Sequence, residues 1–370
     1  MTNSSNLTNP VSEEAEGPVL VTGGNGYVAS WLVKTLLDRG ATVHATVRDA
    51  GDPRRTGHLR RLAAGAPGRL HLFESDLMDG LSFDAALSGC TVVFHTASPF
   101  VVRGVSDPMR ELIAPARDGT RNVLEAASRA GSVTRVVLTS SVAAIYGDAA
   151  DLCDTAAGRF DESHWNHTSS VRHQPYFYSK TLAERTAWEI VKGQDRWTLA
   201  VVNPGLVTGP ALSPHATSES VALIRDFGSG RFCMGVPALD FGVVDVRDVA
   251  DGHVRAAGVA GAGARHILVA ETLSLLEMGR ALRARFGNHY PFPRITVPKP
   301  VCALMAPFLG TTLKFVSRNV GYPLRFDNQR ARQSLGMTFR RGADSVIDHF
   351  QQLLDDGLLP SRGSGNRRAP

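Results

Sequence analysis

The sequence predicts an α/β fold: a doubly wound parallel sheet with a smaller, mixed C-terminal substrate lobe attached. Three observations predict it. Short β-branched runs alternate with helical patterns through the N-terminal half, the rhythm of strand–helix–strand units that make parallel sheets. A glycine cluster joins the first run to the first helix, and after Asn203-Pro204-Gly205 the pattern turns irregular and proline-punctuated, as expected of a lobe closing over a site.

Val19-Leu20-Val21 reads as a buried parallel strand, broken by Thr22-Gly23-Gly24-Asn25-Gly26 and followed by apolar positions at helical spacing up to Leu36-Leu37. The turn needs glycine for two reasons: its reversal requires backbone angles that a Cβ forbids, and a pyrophosphate approaches a chain only where side chains are missing. The phosphate would sit on the helix N-terminus, where unpaired N–H groups point at it. Gly40 stops the helix, and Ala41 to Arg48 read as a second strand. Strand, crossover helix and strand make a Rossmann-type dinucleotide-binding unit.

A basic loop and short helix follow, with Arg54, Arg55, Arg60 and Arg61. A strand near Leu70 to Glu74, a short helix at 82–88 and a fourth strand, Val92 to Ala97, come next. A helical pattern over 107–130 contains Pro115, which should bend or split it. A fifth strand, 133–139, ends at Ser140-Ser141; a helix spans about Tyr176 to Lys192, and a strand begins at Thr198. The apolar run within 298–316 is too short to span a bilayer and is interrupted by Pro307 and Lys314, so it reads as a buried helix. The organisation expected is a disordered leader at 1–17, a dinucleotide-binding domain at 18–205, a substrate lobe at 206–359 returning partly to the first domain, and a disordered tail at 360–370.

The 370 residues carry a formal charge of +5 and are 43% hydrophobic, a globular composition long enough for a substantial core. Part of the basic excess lies in the tail, and no lysine-rich or aromatic-interleaved stripe accompanies it, so nucleic acid is excluded as a partner. Cys90, Cys153, Cys233 and Cys302 stand far apart; neither a disulfide framework nor a metal site is expected. The polar, acidic start lacks a signal peptide's basic and apolar regions, which predicts a cytoplasmic protein. His164, His167 and His173 share a loop but have no carboxylate spacing to complete a metal site. Asp245 and Asp248 fit a strand-to-helix junction with a capping carboxylate.

The chemistry-bearing pair is Tyr176 and Lys180, at i and i+4, so both project from one helix face. A phenol with a pKa near 10 is a poor proton donor or acceptor near neutrality, and an adjacent ammonium should pull that value down. Ser141, at the C-terminal end of the fifth strand, is placed to bond the same oxygen; ligands of such sheets bind outside those strand ends.

These residues resemble the extended short-chain dehydrogenase/reductases, specifically the dihydroflavonol 4-reductase-like branch, which also holds cinnamoyl-CoA reductases and microbial ketone and aldehyde reductases. The resemblance covers about 18–359. It rests on Val21-Thr22-Gly23-Gly24-Asn25-Gly26-Tyr27-Val28-Ala29, Thr46-Val47-Arg48-Asp49, His95-Thr96-Ala97-Ser98-Pro99, Thr139-Ser140-Ser141, Tyr176-x-x-x-Lys180 and Asn203-Pro204-Gly205. It implies that Tyr176 is the acid/base, that Ser141 orients a carbonyl, and that Lys180 lowers the tyrosine pKa and holds the nicotinamide ribose. For the cofactor it implies Thr22, Gly23, Asn25, Gly26, Tyr27 and Val28 at the turn, and Asp76 and Leu77 at the adenine. Thr96, Ala97, Ser98, Thr139, Pro204, Gly205 and Val207 would line the rest of its site.

Arg48 ends the second strand where an NAD-preferring site places an acid; a contact from it to a 2′-phosphate, with Arg55 or Arg54 adding a second cation, predicts NADP(H). Substrate contacts are expected from Pro99, Phe100, Val142, Tyr146 and Leu206. Plant dihydroflavonol reductases carry an asparagine where this chain has Tyr146, which argues against a flavonoid specialist. In the long helix, Asp118-Gly119-Thr120 lies where sugar epimerases usually carry an asparagine-containing stretch, which weakens an epimerase reading. The activity implied is reduction of a hydrophobic ketone or aldehyde by a monomer or homodimer, away from membranes. A nucleotide-sugar epimerase or dehydratase holding NAD, or an NADP(H)-sensing protein without activity, are the alternatives.

Overall fold

The structure is a computed structural model and describes residues 17–98, 105–216, 218–259 and 263–359. The expected leader apart from Gly17, the expected tail, and Pro99 and Phe100 lie outside those residues.

The strands are β1 (Val19–Thr22), β2 (Thr42–Val47), β3 (Arg69–Glu74), β4 (Val92–His95), β5 (Arg135–Thr139), β6 (Thr198–Pro204), β7 (Leu206–Thr208), β8 (Val236–Pro237), β9 (Asp240–Asp245), β10 (Arg265–Leu268), β11 (Glu271–Ser274) and β12 (Thr296–Val297). The helices are α1 (Tyr27–Asp38), α2 (Pro53–Ala64), α3 (Asp84–Leu87), α4 (Ala114–Ala130), α5 (Pro175–Lys192), α6 (Glu219–Ser229), α7 (Val246–Gly258), α8 (Leu275–Phe286), α9 (Lys299–Met305), α10 (Leu313–Asn319), α11 (Gln329–Ser334) and α12 (Gly342–Asp355).

A seven-stranded sheet runs β10-β6-β5-β4-β1-β2-β3, with every neighbouring pair parallel. Strand order reverses between β1 and β4, so a crevice opens beyond their C-terminal ends, where ligands of open α/β sheets bind. Two apolar layers sandwich the sheet. One packs Leu32, Leu36 and Leu37 of α1 and Val249 and Val254 of α7 against its strands; the other packs Val123, Leu124 and Ala127 of α4 and Ala187 of α5 on the opposite face. Strands buried on both faces explain the continuous β-branched runs.

The smaller lobe holds a mixed sheet, β11-β9-β7, with β7 and β9 parallel and β9 and β11 antiparallel, and a short parallel pair, β12-β8. Its own core gathers Ile224, Phe227, Met278, Leu282 and Phe350. Asp245 caps α7 through the Arg247 amide, as its place in the sequence predicts.

One expectation is met and one needs correcting. The long helical pattern is divided: a π-helical turn, Met109–Ile113, precedes α4, and Pro115 takes one of its first two positions, where a missing N–H costs little. The apolar run within 298–316 is not a buried helix. Pro307 and Gly310 cut it into α9, a short turn and α10, and Leu304 and Phe308 stand 73% and 80% exposed. Pieces this short cannot bury an apolar face on every side. No helix among the described residues is long and apolar enough to cross a membrane.

Candidate active site

Six strand ends and two helices build the site. At the end of β1, the fully buried Thr22 hydroxyl accepts the amides of Thr96 (3.1 Å) and Ala97 (3.0 Å) and meets His95 Nδ1 at 2.9 Å. The Thr96 hydroxyl donates to the Thr22 carbonyl. These bonds sew β1 to β4 at the reversal point. The Thr22 side chain thus joins the two strands of the scaffold.

Gly23 adopts φ 65° and a Cβ there would crowd Ala97 at 3.1 Å; a Cβ on Gly24 would strike that of Ala45 at 2.8 Å. The turn then enters α1 through Gly26, with no acidic residue in the helix's first turn. Its leading amides have no helical partners and carry the positive end of the dipole. That arrangement fits an anionic dinucleotide. Tyr27 points away from it, its hydroxyl donating to Gly209 O at 2.6 Å and its ring 5.8 Å from that of His349.

Arg48 lies just past β2, exposed and without a hydrogen bond or ion pair among the described residues. Arg55 pairs with Asp52 at 3.3 Å, and the Arg54 amide bonds the Asp52 side chain that caps α2. Past β3, Asp76 receives the Met78 amide, while Leu77 faces Gly119 of α4. Thr139 meets His253 Nε2 at 2.7 Å on α7, so its hydroxyl, like that of Thr22, holds the frame.

The catalytic candidates converge. Ser141 begins the turn Val142–Ala144, its Oγ accepting the Ala143 amide at 3.1 Å and lying 3.4 Å from Pro204 O. Tyr176, early in α5, is half-buried; desolvation of its phenol drives the pKa up to about 12, against which Ser141 acts downward and the Glu219 charge adds to the rise. Lys180 stands one turn on, with Nζ 3.1 Å from Ser98 Oγ and 5.9 Å from the Tyr176 ring centre. Burial draws its pKa down to about 8. The expected lowering of the phenol by the ammonium is therefore not the governing effect: desolvation of the half-buried phenol is the largest influence on it.

Val142 and Tyr146 belong to an apolar cluster with Ile145, Phe160 and Leu324. The Tyr146 ring stacks on Phe160 (5.0 Å) and meets Phe177 and Phe326 edge-on, leaving it 8% exposed. Leu206 packs with the lobe core and Val207 with the sheet core. Gly205 lets β6 pass Gly242, whose carbonyl would lie 2.0 Å from any Cβ there. His173, from the loop histidines, bonds Asp148 at 2.9 Å, and His164 bonds Asp161 at 2.9 Å.

Sequence reasoning missed a buried polar node behind the serine. Glu184, fully buried on α5, takes Arg265 Nε at 2.6 Å, Asn203 Nδ2 at 2.8 Å, Ser140 Oγ at 2.5 Å and Trp188 Nε1 at 3.2 Å. Asn203 Nδ2 also donates to Ser141 O at 3.1 Å. Glu184 extends the spacing of Tyr176 and Lys180 by another four residues, a signal that the helix face offered.

The profile of the NAD dependent epimerase/dehydratase family matches residues 19–270. The chain belongs to that family. Among its relatives, cinnamoyl-CoA reductase CAD2 of Medicago truncatula is 41% identical over 273 residues, 73% of this chain and 81% of the relative. Dihydroflavonol 4-reductase of Gerbera hybrida is 31% identical over 302 residues, 79% of each chain. Among solved structures, yeast methylglyoxal/isovaleraldehyde reductase Gre2, complexed with NADPH, superposes with a TM-score of 0.74 at 26% identity, covering 92% of this chain and 99% of its own. This member of the epimerase/dehydratase family thus has its likeness among the reductases of the extended short-chain type.

Proposed function

We propose that this protein reduces a ketone or aldehyde to an alcohol with NADPH, acting in the cytoplasm as a monomer or homodimer. What carries the reading is a half-buried, protonated Tyr176 set beside Ser141 and one helical turn from Lys180, beyond the same strand ends as the glycine turn. In this reading 18–205 holds the cofactor and 206–359 closes over a hydrophobic carbonyl compound. Gly23, Asn25, Gly26 and Val28 receive the pyrophosphate, Asp76 and Leu77 the adenine, and Arg48, with Arg55 released from Asp52, the 2′-phosphate. Ser98, Pro204 and Lys180 flank the nicotinamide end.

When bound, the cofactor supplies a hydride to the carbonyl carbon. Tyr176 gives its proton to the carbonyl oxygen, Ser141 holds that oxygen in line, and solvent restores the proton. Likeness to the cinnamoyl-CoA reductases, at 41% identity, favours a second substrate class, aryl thioesters, whose first reduction releases a thiol and an aldehyde.

The test is oxidation of NADPH, and separately NADH, by the purified protein against aliphatic, aromatic and keto-ester carbonyls and a cinnamoyl thioester. Turnover preferring NADPH is expected, and Tyr176→Phe should abolish it while binding NADPH undiminished. Undiminished turnover by that variant removes the mechanism; silence with every compound moves the reading to an epimerase or a cofactor sensor.

A further inference from the structure

Gln174 is the single non-glycine residue among those described with positive φ, at φ 53° and ψ 58°. The left-handed region is costly for a residue with a long side chain and falls to glycine or asparagine when only a turn is needed. Here the next residue is Pro175, whose ring further disfavours helical backbone angles before it. Two residues later comes Tyr176. Strain of this kind persists where the surroundings impose it, and it gathers at functional sites.

What imposes it is the Gln174 side chain. It does not cap α5; its amide reaches across to donate to the Gly147 carbonyl and to Asp148 Oδ1 at 2.9 Å. Asp148 is fully buried and is itself held from three directions. His173 Nε2 lies at 2.9 Å, Arg318 Nε at 2.9 Å and Asn319 Nδ2 at 2.7 Å, the last two from α10. Burial opposes its charge, yet the bonds from Asn319, His173 and Gln174 keep its pKa below the usual carboxylate value. Gly147 has no freedom either, because a Cβ there would stand 2.2 Å from Thr168 Oγ1. The anchor is thus fixed both to the segment that follows Ser141 and to α10.

We propose that Gln174 is a positioning residue: tied to Gly147 and Asp148, it sets the start of α5 so that the Tyr176 hydroxyl meets Ser141 and the substrate oxygen. Glycine would satisfy the backbone here without strain, but it would lose the tether. Asparagine tolerates the same backbone angles, and its amide falls one methylene short of the Gly147 carbonyl. The proposal rests on Tyr176 being the proton donor.

The experiment compares the parent with Gln174→Gly, Gln174→Asn and Tyr176→Phe, using NADPH and a carbonyl that the parent turns over. For Gln174→Gly the thermal midpoint should hold or rise and KM for NADPH should stay within about twofold, while kcat falls about tenfold or more, since small misplacement of a reacting group costs rate steeply. Its solvent deuterium isotope effect on kcat should grow, because proton transfer becomes limiting. Gln174→Asn should fall between the two. Parental kcat in Gln174→Gly beside an inactive Tyr176→Phe overturns the positioning role alone. A lowered midpoint with NADPH binding lost in parallel also overturns it, assigning Gln174 to stability. A fully active Tyr176→Phe, or a parent silent with every carbonyl, overturns the proton-donor reading and this proposal with it.

Discussion

Replacing Glu184 with alanine should destabilise the protein by about 3–5 kcal/mol, the usual cost of removing one partner of a buried ion pair. The structure sets the value within that range. Glu184 is wholly buried, the Arg265 side chain is 7% exposed, and they meet at 2.6 Å. Arg265 keeps other company: the carbonyls of Glu162 and His164, and the Trp165 ring at 4.0 Å. Those contacts soften the loss and favour the lower end. Ser140, Asn203 and Trp188 each lose an acceptor, however, and stranded buried donors cost about 1–3 kcal/mol apiece where no water reaches them, which pushes the total upward. The assay is urea unfolding followed by far-ultraviolet circular dichroism, with Glu184→Gln as the milder companion. Exchanging both partners for apolar residues, Glu184→Leu with Arg265→Met, should recover much of the loss, because no charge is then left unpaired. An alanine variant losing less than about 1 kcal/mol, the range of an exposed pair, would refute the reasoning, as would a double variant no better than the single.

Arg48→Glu should weaken NADPH binding by roughly tenfold to a hundredfold and leave NADH binding unchanged, in line with one charge-assisted bond of about 1.5–3 kcal/mol; fluorescence titration with both dinucleotides decides it, and equal losses sink the phosphate role. Burial lowers His58, His253, His266 and His349 to about 4 and His95 to about 3. Their folded values lie below the unfolded one, so the unfolded chain takes up more protons between those limits, and stability present above pH 6.5 is lost as the pH falls. From pH 7 to 5.5 each histidine removes on the order of 1 kcal/mol, which urea midpoints across that interval should register as a steep decline; a flat profile would contradict it. Lys180, lowered to about 8, should impose a fall in kcat/KM for NADPH as the pH rises through that value, and Lys180→Arg should move the fall to higher pH.

The glycine turn was legible because its cause is local: a strand, glycines and a helix lie within 20 consecutive positions, 19–38. The shared helix of Tyr176 and Lys180 was legible for the same reason. Glu184 lies on that same helix, but its importance depends on Arg265, 81 positions away, and on Asn203, 19 away. Asp148 likewise takes its meaning from Asn319, 171 positions on. A hydroxyl's direction was no better specified, and Thr22 and Thr139 turned out to bond histidines of the scaffold. The exposed run at α9 misled because hydrophobicity fixes no burial once proline and glycine cut the helix short.

Desolvation, which the sequence does not display, also bears on how each direction of the proposed reaction should depend on pH. It moves Tyr176 up and Lys180 down, favouring the neutral form of each. Near pH 7.5 a phenol with a pKa of about 12 is ionised in roughly one molecule in thirty thousand. A reductase loses nothing by this, since Tyr176 must carry its proton when hydride arrives, and the alkoxide then forming is a far stronger base than phenolate. Alcohol oxidation needs the phenolate from the outset and bears the full cost. Its rate should therefore climb with pH where reduction is flat or falling, and the two directions followed side by side from pH 6 to 9 give the comparison. Parallel profiles would mean that the bound cofactor resets the phenol, and that the ammonium governs Tyr176 after all.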